Sequence, residues 1–542
     1  MPLLRRLPFD FPPRGAALAA LCALYLLPGL IGHDPWKSDD AVHFGLVYGL
    51  AGGGDWLLPK LAGEAWFDNP PLYYWVSAAL ARVFGLVLPL HDAARLASGL
   101  FGALMLAFLV GAARHLDERA PARVTALVAI GCLGLLVHVH DMQPALAHLA
   151  AAAALYYGLA LLPHSALRGG AVCGAALGFG FLAVGLPALL TLGPLLILLP
   201  LVSRHLRSAQ AARGVLAALT IATPLVFAWP LALWLREPNL AGLWWMREMD
   251  DLQATANWPA ALWAYLQLLG WFAWPALPLS LWTLWRERHR LNEPRILIPL
   301  ASFLVLLVVQ TVFYEPRSLN ALPLLPPLVL LAVPAAATLR RGAANAFDWF
   351  GMMTFSLVAG LIWLGWIAMV AGVPAQIAHN FVKLEPGFVA QFSASAFIAA
   401  LMLSLAWLWL ILRSPRSPVR GTVHWAAGMA LTWGLLMALW LPWIDYGKSY
   451  RAVAASLKAA VPADAGCIAG HDLGEAQRAS FHYFAGITTI RDGTEAAAPC
   501  RLFLAQGTTR IEDLPPGAGW RKIWEDRRQG DRAERFRLYH RE

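Results

Sequence analysis

Long apolar runs are the feature that most limits how this chain can fold. Runs of about 20 residues, enough for a helix to cross a bilayer, recur from residue 15 to residue 443. Apolar residues make up 59% of the sequence and charged residues 14%, against roughly 25% charged in soluble domains. Because lipid cannot satisfy backbone N–H and C=O groups, such runs fold as helices. The sequence therefore predicts a mainly α-helical, polytopic membrane protein with about 13 transmembrane helices, near residues 15–32, 93–113, 122–138, 142–163, 168–184, 186–203, 213–235, 262–285, 296–314, 319–339, 348–372, 393–412 and 421–443.

Arginine is concentrated in alternate loops. If the N-terminus is cytoplasmic, the short cytoplasmic loops contain most of the cations, as the positive-inside rule requires. An odd number of spans then places residues 444–542 on the outer side. The formal net charge of +9 follows from this topology, and no soluble basic segment indicates nucleic-acid binding. The orienting arginines are Arg5, Arg6, Arg14, Arg114, Arg119, Arg123, Arg168, Arg204, Arg207, Arg213, Arg286, Arg288, Arg290, Arg295, Arg340, Arg341, Arg413, Arg416 and Arg420.

Two parts of the chain differ in composition. Residues 1–443 hold the apolar runs and are interpreted as a transmembrane domain. Its long outer segments 33–92 and 236–261 have apolar residues at helical spacing, which predicts juxtamembrane helices on the outer face. Residues 444–542 alternate between helical and strand patterns and predict a small α/β domain. Its predicted elements are helices at 449–460 and 474–485 and strands near 466–470, 501–505, 521–525 and 535–540.

Cys467 and Cys500 each open a short strand-like run in the outer domain. A disulfide between them would persist in an oxidising compartment. Two buried free thiols are an equally good interpretation, because free cysteine packs as a small apolar residue.

Three acids lie at the predicted outer membrane boundary: Asp39 and Asp40 after the first span, and Asp141 between the third and fourth. Charged groups at such positions are costly and indicate a functional site when they face the interior. Adjacent carboxylates repel, which would raise one pKa and suit a general base. Helix capping by Asp39 and Asp40 explains the pair equally well.

Metal binding is not favoured by the sequence. The stretch "HVHD" at 138–141 could hold a divalent metal in an extended strand, but its side chains fan apart at a helix end. No HExxH pair, CxxC cluster, nucleophile elbow or phosphate-binding loop occurs. We therefore expect no cofactor.

Several motifs of the outer segments carry a family resemblance. The stretches "SDDAVHFGLVYGLAGGGDW", "DNPPLYYW", "HDMQPALAHL" and "LPLLPPLVLLAV" follow one another at the outer ends of the spans. Together they resemble the polytopic glycosyltransferases of the GT-C superfamily, in the bacterial dolichyl-phosphate-mannose protein mannosyltransferase-like family that includes the lipid A aminoarabinose transferase. The likeness covers most of residues 15–445 and implies the GT-C fold, with the active site carried by outer loop 33–92.

The resemblance also implies a reaction. Enzymes of this family move a sugar, with inversion, from a polyprenyl phosphate, usually undecaprenyl phosphate, to a lipid A or other cell-envelope acceptor on the periplasmic face. Asp39 matches the general base or acceptor-positioning acid, Asp40 the second acid, and Asp141 the acid before the fourth span. The implied partners are the lipid-linked donor, a lipid or glycan acceptor and membrane lipids, and the implied location is the bacterial inner membrane.

The departing lipid phosphate is negative, so cations and polar groups should converge on it. Where the aminoarabinose transferases carry a lysine before a proline, this chain has Asn69. The predicted substrate-binding residues on the outer side are His43, Lys60, Asn69, Tyr74, Arg95, Arg247 and Arg317.

Two other functions, a flippase and an oligosaccharyltransferase-like activity, would require features of their own. A flippase or transporter of lipid-linked sugars would show internal repeats with broken helices at matching positions, and the second half of this chain has no counterpart of "SDDAVHF". A metal-dependent oligosaccharyltransferase-like enzyme of the same superfamily would require a divalent metal and a peptide acceptor.

Overall fold

The structure is a computed structural model that describes residues 13–117, 122–203, 206–250, 252, 254, 257–463, 466–508 and 516–541. The orienting residues Arg5, Arg6, Arg119 and Arg204 lie outside the described residues. The helices, in chain order, are α1 (Ala16–Leu26), α2 (Asp39–Ala51), α3 (Leu72–Phe84), α4 (Leu90–Leu116), α5 (Arg123–Gly131), α6 (Leu133–His138), α7 (Pro144–Leu161), α8 (Ala166–Val184), α9 (Leu186–Val202), α10 (Ala209–Arg236), α11 (Pro238–Asp250), α12 (Trp258–Phe272), α13 (Ala276–Arg286), α14 (Pro294–Phe313), α15 (Leu325–Thr338), α16 (Arg341–Ala371), α17 (Ala375–Leu384), α18 (Ala394–Arg413), α19 (Arg420–Leu439), α20 (Leu441–Lys448), α21 (Arg451–Ala460) and α22 (Glu475–Ala485).

The predicted helical membrane protein is confirmed. Among the described residues, eight helices are long and apolar enough to cross a membrane, namely α4, α7, α8, α10, α14, α16, α18 and α19. The other predicted spans correspond to shorter or broken helices. The span predicted at 262–285 divides into α12 and α13 at Pro275, which cannot donate a backbone hydrogen bond. The count of about 13 spans stays a prediction.

The central helices pack closely because their facing residues are small. Helices α4, α7, α8 and α10 lie side by side in that order. In α8, a Cβ atom on Gly174 would lie 2.4 Å from the Ala218 carbonyl oxygen of α10. Contacts of this kind between small residues let the backbones of membrane helices approach.

Loop 33–92 forms the expected helices α2 and α3, with a hairpin of β1 (Lys60–Leu61) and β2 (Glu64–Ala65) between them. The hairpin was not predicted, because two-residue strands leave no periodic signal. Helix α11 occupies the second long outer segment, as predicted.

The C-terminal part is a five-stranded sheet with two helices on one face. Its strands are β3 (Ile468–His471), β4 (Ile490–Arg491), β5 (Leu502–Thr508), β6 (Trp520–Asp526) and β7 (Glu534–Arg541), in the order β4-β3-β5-β7-β6. β3 is parallel to β4 and β5, whereas β7 is antiparallel to β5 and β6. Helices α21 and α22 cover one face and form a separate apolar core with it. The boundary proposed at residues 443 and 444 stays a prediction.

The C-terminal part rests on the helix that begins with the acidic pair. Helix α22 packs against α2, where a Cβ atom on Gly45 would lie 2.7 Å from the Ala479 Cβ. A larger residue at position 45 would push the two helices apart. This contact places the start of α22 close to Asp39 of α2.

Candidate active site

The two acids at the start of α2 enter different surroundings. Successive residues of an α-helix point about 100° apart, so Asp39 and Asp40 cannot face the same space. Asp39 is exposed on the wall of a cavity, and Asp40 is buried. The two carboxylates therefore have different partners and different possible roles.

Asp40 forms a buried ion pair with Arg95 of α4. The Arg95 side chain is 0% exposed, and its Nη2 donates to Asp40 Oδ2 at 3.0 Å. Asp40 also accepts the backbone N–H groups of Trp36 and Met142, each at 3.0 Å. Burial alone would raise the pKa of Asp40, but the Arg95 charge and the donors hold it below its usual value. Asp40 thus joins α2 to α4 and to the loop before α7.

Arg95 is fully engaged inside this junction. It also donates to Asp92 Oδ1 at 3.1 Å and to three carbonyl groups of segment 30–34. Neither Asp40 nor Arg95 has a surface on the cavity beside Asp39. This arrangement does not favour the roles predicted for them, catalysis for Asp40 and substrate binding for Arg95, because their polar groups already satisfy one another.

The cavity beside Asp39 has a volume of about 720 Å³. Its described wall is formed by α2, the 66–69 segment, the start of α7, the end of α11, the 313–323 segment and the first residue of α22. Among the described residues, six carboxylates and one arginine, Arg317, line it, so the wall carries more acidic than basic side chains. The acids are Asp39, Asp68, Glu248, Asp250, Glu315 and Glu475.

Asp39 is held in place at the cavity by two donors. Gln143 Nε2 donates to Asp39 Oδ2 at 2.9 Å, and Ser38 Oγ donates to Asp39 Oδ1 at 3.1 Å. Gln143 directly precedes Pro144, the first residue of α7. The sequence reasoning missed Gln143, although it lies two residues after the acid Asp141 in the same motif.

His43, Asn69 and Tyr74 form a connected group on one side of the cavity. The Tyr74 hydroxyl shares a 3.0 Å hydrogen bond with His43 Nδ1 and donates to Asn69 Oδ1 at 3.5 Å. His43 and Asn69 line the cavity, while the buried Tyr74 lies behind them. Burial lowers the pKa of His43 to about 4, so its imidazole is neutral near pH 7. His43 therefore offers a hydrogen bond to a ligand rather than a charge.

The other predicted cations are dispersed. Arg317 lines the cavity, with its Nη2 2.5 Å from Glu315 Oε2. Arg247 donates from Nε to Asp68 Oδ1 at 3.1 Å and lines a neighbouring cavity of about 620 Å³. Lys60 is exposed on β1 and lines neither cavity, a position that does not favour its predicted role in substrate binding.

The two cavities share Trp66, Asp68, Asp250 and Glu475, so they are adjacent. The smaller one adds Arg491 from the C-terminal part to Arg247. Arginine fits phosphate through its planar fork of donors. The sequence reasoning missed Arg491, because no local pattern places the sheet of the C-terminal part beside the 60–69 segment.

The C-terminal part is fixed at this site by ion pairs to Glu64 of β2. The buried Arg478 of α22 donates to both Glu64 oxygens, at 2.8 and 2.7 Å. Arg491 Nε donates to Glu64 Oε2 at 2.7 Å, and Arg491 Nη2 donates to Glu475 Oε1 at 2.7 Å. Bidentate arginine–carboxylate pairs of this kind fix orientation as well as distance.

Asp141 lies in the loop between α6 and α7 and does not line the cavity beside Asp39. Its backbone oxygen accepts a hydrogen bond from Ser98 Oγ at 2.8 Å. Burial and the nearby Asp40 charge raise the pKa of Asp141 to about 7. Asp141 is therefore a titratable group behind the site rather than on its surface.

Away from this site, Cys467 and Cys500 are joined by a disulfide in the C-terminal part. Among the described residues, no group of three or more His, Cys, Asp or Glu side chains has an arrangement that could hold a metal ion.

Comparison with known proteins agrees with this architecture. Residues 68–234 match the family model of the dolichyl-phosphate-mannose-protein mannosyltransferases. An undecaprenyl phosphate-alpha-4-amino-4-deoxy-L-arabinose arabinosyl transferase of Pseudomonas paraeruginosa is 28% identical over 447 residues, which cover 78% of this chain and 74% of the relative. A protein of the same name from Pseudomonas savastanoi pv. phaseolicola is 25% identical over 441 residues, which cover 78% of this chain and 76% of the relative.

The fold also matches a solved structure over nearly its whole length. The crystal structure of ArnT from Cupriavidus metallidurans bound to undecaprenyl phosphate superimposes with a TM-score of 0.67 and 17% identity, covering 96% of this chain and 97% of the other. The apo state of the same protein gives a TM-score of 0.66. The chain therefore shares the GT-C fold of ArnT, and in sequence it is similar to the undecaprenyl phosphate-alpha-4-amino-4-deoxy-L-arabinose arabinosyl transferases.

Proposed function

We propose that the protein is an inverting glycosyltransferase that moves a sugar from undecaprenyl phosphate to a lipid A or other cell-envelope acceptor. The observation that carries this proposal is Asp39, an exposed carboxylate held by Gln143 on the wall of a cavity large enough for a sugar and part of an acceptor. The curated relatives are arabinosyl transferases that use an undecaprenyl phosphate-linked donor, by their names.

In this reaction Asp39 acts on the acceptor. Its carboxylate accepts the proton of an acceptor hydroxyl as the hydroxyl oxygen attacks the anomeric carbon, or it positions the acceptor when the nucleophile is already ionised. The bond from the anomeric carbon to the phosphate oxygen breaks on the opposite face, and the electron pair leaves with the polyprenyl phosphate. Attack opposite the leaving group inverts the anomeric centre. Gln143 orients the carboxylate and takes no proton.

The leaving phosphate requires positive charge. Arg317 on the main cavity and Arg247 with Arg491 on the adjacent one are the described cations suited to this role. Arg247 is held next to the main cavity by its ion pair with Asp68, a residue that lines both cavities. We assign donor binding to these groups together with His43 and Asn69, in place of Lys60, Arg95 and Tyr74.

The charge of the cavity wall indicates which class of sugar is transferred. Three of the six carboxylates on the cavity are paired with arginines, namely Asp68 with Arg247, Glu315 with Arg317 and Glu475 with Arg491. The negative charge of the other three, Asp39, Glu248 and Asp250, favours a ligand group that carries positive charge over a neutral one. An amino group on the donor sugar supplies that charge, and the names of the relatives specify an amino sugar. We therefore propose an amino sugar as the transferred group.

The proposed location is the bacterial inner membrane, with a cytoplasmic N-terminus and the C-terminal part in the periplasm. The alternation of arginine-rich loops in the sequence supports this orientation. We divide the chain into a transmembrane catalytic domain, residues 1–443, and a periplasmic α/β domain, residues 444–542, which contributes Glu475 and Arg491 to the two cavities.

The test uses Asp39→Asn in the purified protein, reconstituted in nanodiscs with a radiolabelled undecaprenyl phosphate sugar and lipid A. The wild type is expected to form labelled product with an inverted anomeric centre. The transfer rate of the variant is expected to be lower by a factor of about 10² to 10⁴, while the variant still binds the donor. Asp55→Asn is the matched control, because Asp55 lies in the same outer segment, pairs with Arg236 and does not line the cavities. Full activity of Asp39→Asn would refute the assignment, and donor translocation without transfer would indicate a flippase.

A further inference from the structure

A third cavity, of about 860 Å³, lies in the C-terminal part and shares no lining residue with the cavity beside Asp39. It lies on the sheet face opposite helices α21 and α22. Side chains alternate along β5, so Leu502 and Leu504 pack in the core beneath the helices, whereas Phe503 and Ala505 face the cavity. Because α22 packs on α2, this cavity is turned away from the transmembrane helices.

The floor of the third cavity is aromatic. Phe503, Trp520 and Tyr539 line it from three adjoining strands of the sheet. The Phe503 and Trp520 ring centroids are 5.7 Å apart at 61°. The small side chains of Ala469 and Ala505 leave the space above this floor open. The two rings meet edge to face, so the half-buried Trp520 is the ring whose face can accept the C–H face of a ligand.

The rim of the third cavity is rich in hydrogen-bond acceptors. Asp472, Asp492 and Glu495 line it. His471 Nδ1 is 3.1 Å from Asp492 Oδ2, and the His471 ring stacks on Phe503 with centroids 5.5 Å apart. The Asp472 backbone has a φ of 54°, a left-handed conformation that few non-glycine residues adopt and that is common at ligand sites. The histidine thus links the acidic rim to the aromatic floor.

This combination selects one class of ligand. Among the described lining residues, a phosphate or nucleotide would meet three carboxylates and one arginine, Arg537, which lies 3.5 Å from Glu525. An acyl chain would take the exposed rim carboxylates out of water and would itself offer them no hydrogen-bond donor. A ligand with hydroxyl donors on its edge and an apolar C–H face satisfies both the rim and the floor.

We propose that the third cavity binds a saccharide, with the C–H face of a sugar ring against Trp520 and its hydroxyl groups donating to Asp492 and Asp472. This site goes beyond the proposed transfer reaction, because it is separate from Asp39 and holds the ligand without chemistry. The exposed carboxylates of the rim make the site accessible from solvent. The glycan of a membrane lipid and a free saccharide share this chemistry.

The experiment is a binding titration of the full-length protein in nanodiscs with cellobiose, chitobiose and diglucosamine, using inorganic phosphate as the anionic comparison. We expect at least one disaccharide to bind with a Kd of about 1 mM or tighter. Trp520→Ala and Asp492→Asn are each expected to weaken binding at least about tenfold. Ala505→Leu fills the space above the floor without removing a packed side chain, and is expected to do the same even if Trp520→Ala fails to fold.

Two controls keep this site separate from the transfer site. Asp526→Asn removes a carboxylate from β6 outside the cavity, and Asp39→Asn alters only the transfer site, so both should leave saccharide affinity unchanged. If lipid A in the nanodisc competes with the disaccharide, the natural ligand is a lipid-linked glycan. If lipid A does not compete, the natural ligand is a free saccharide. The proposal is overturned if none of the three disaccharides binds, if phosphate binds more tightly than all of them, or if Ala505→Leu and Asp492→Asn leave binding intact.

Discussion

Replacing Asp40 by asparagine is expected to lower the free energy of unfolding by about 3–5 kcal/mol, the usual cost of breaking a buried ion pair from one side. Asp40 accepts four hydrogen bonds, two from Arg95 and one each from the Trp36 and Met142 backbones. An asparagine side chain keeps one oxygen and turns an NH₂ group toward donors. Arg95, which is 0% exposed, then keeps its ion pair with Asp92 but loses the one with Asp40.

The measurement is unfolding in bicelles by titration with a denaturing detergent. Asp39→Asn is the matched control, because it makes the same substitution one residue away at an exposed position and should change stability by less than about 0.5 kcal/mol. The two variants should therefore separate: Asp39→Asn loses transfer and keeps stability, while Asp40→Asn loses stability.

A double-mutant cycle with Arg95→Gln tests the pair directly. Because both single substitutions break the same pair, the loss in the double variant should be smaller than the sum of the single losses. Asp40→Asn with wild-type stability and no transfer activity would refute the structural role and restore the catalytic one. If the two losses in unfolding free energy simply add, the ion pair contributes no coupling energy.

Three further predictions concern the surroundings of Asp39. Gln143→Ala is expected to lower kcat about tenfold with donor affinity unchanged, since the carboxylate of Asp39 loses its 2.9 Å donor but the cavity stays open; a change in affinity alone would contradict this. Asp141 has a pKa of about 7 in the folded protein against 3.8 as its ordinary value, so its contribution to stability is present below pH 3.8 and is lost as the pH rises toward 7. In unfolding titrations at several pH values, Asp141→Asn should flatten this slope, and an unchanged slope would contradict the cause. Glu64→Gln leaves the buried Arg478 without its bidentate carboxylate, so hydrogen exchange in α22 should accelerate while that of α7 does not.

Much of the architecture was predictable from local sequence. Apolar runs gave the membrane helices, helical spacing in loop 33–92 gave α2 and α3, and alternating patterns gave most strands of the C-terminal part. The strand β4 and the hairpin β1–β2 were missed, since two-residue strands have no period to detect. Breaks inside spans, such as the one at Pro275, are similarly invisible to an average over apolar residues.

The candidate site was predictable only in part. Asp39 was predicted to be catalytic and lies on a cavity wall that also includes His43, Asn69 and Arg317, while its catalytic role stays a prediction. Gln143, Glu475 and Arg491 were missed, because their nearness to the site depends on how distant segments meet. Arg95 was expected at the substrate because it is a cation on the outer side, but helix α4 turns it inward onto Asp40.

The sequence by itself determined that this chain is a helical membrane protein with an acidic pair directly after its first apolar run, because those properties follow from apolar run length and short motifs. Only the tertiary structure decided which acid of the pair is available to a substrate. Asp39 and Asp40 have the same side chain and adjacent positions, and they differ only in what α4 and the loop before α7 place beside them. Partners that are 55 and 102 residues apart in the chain leave no trace in a local pattern.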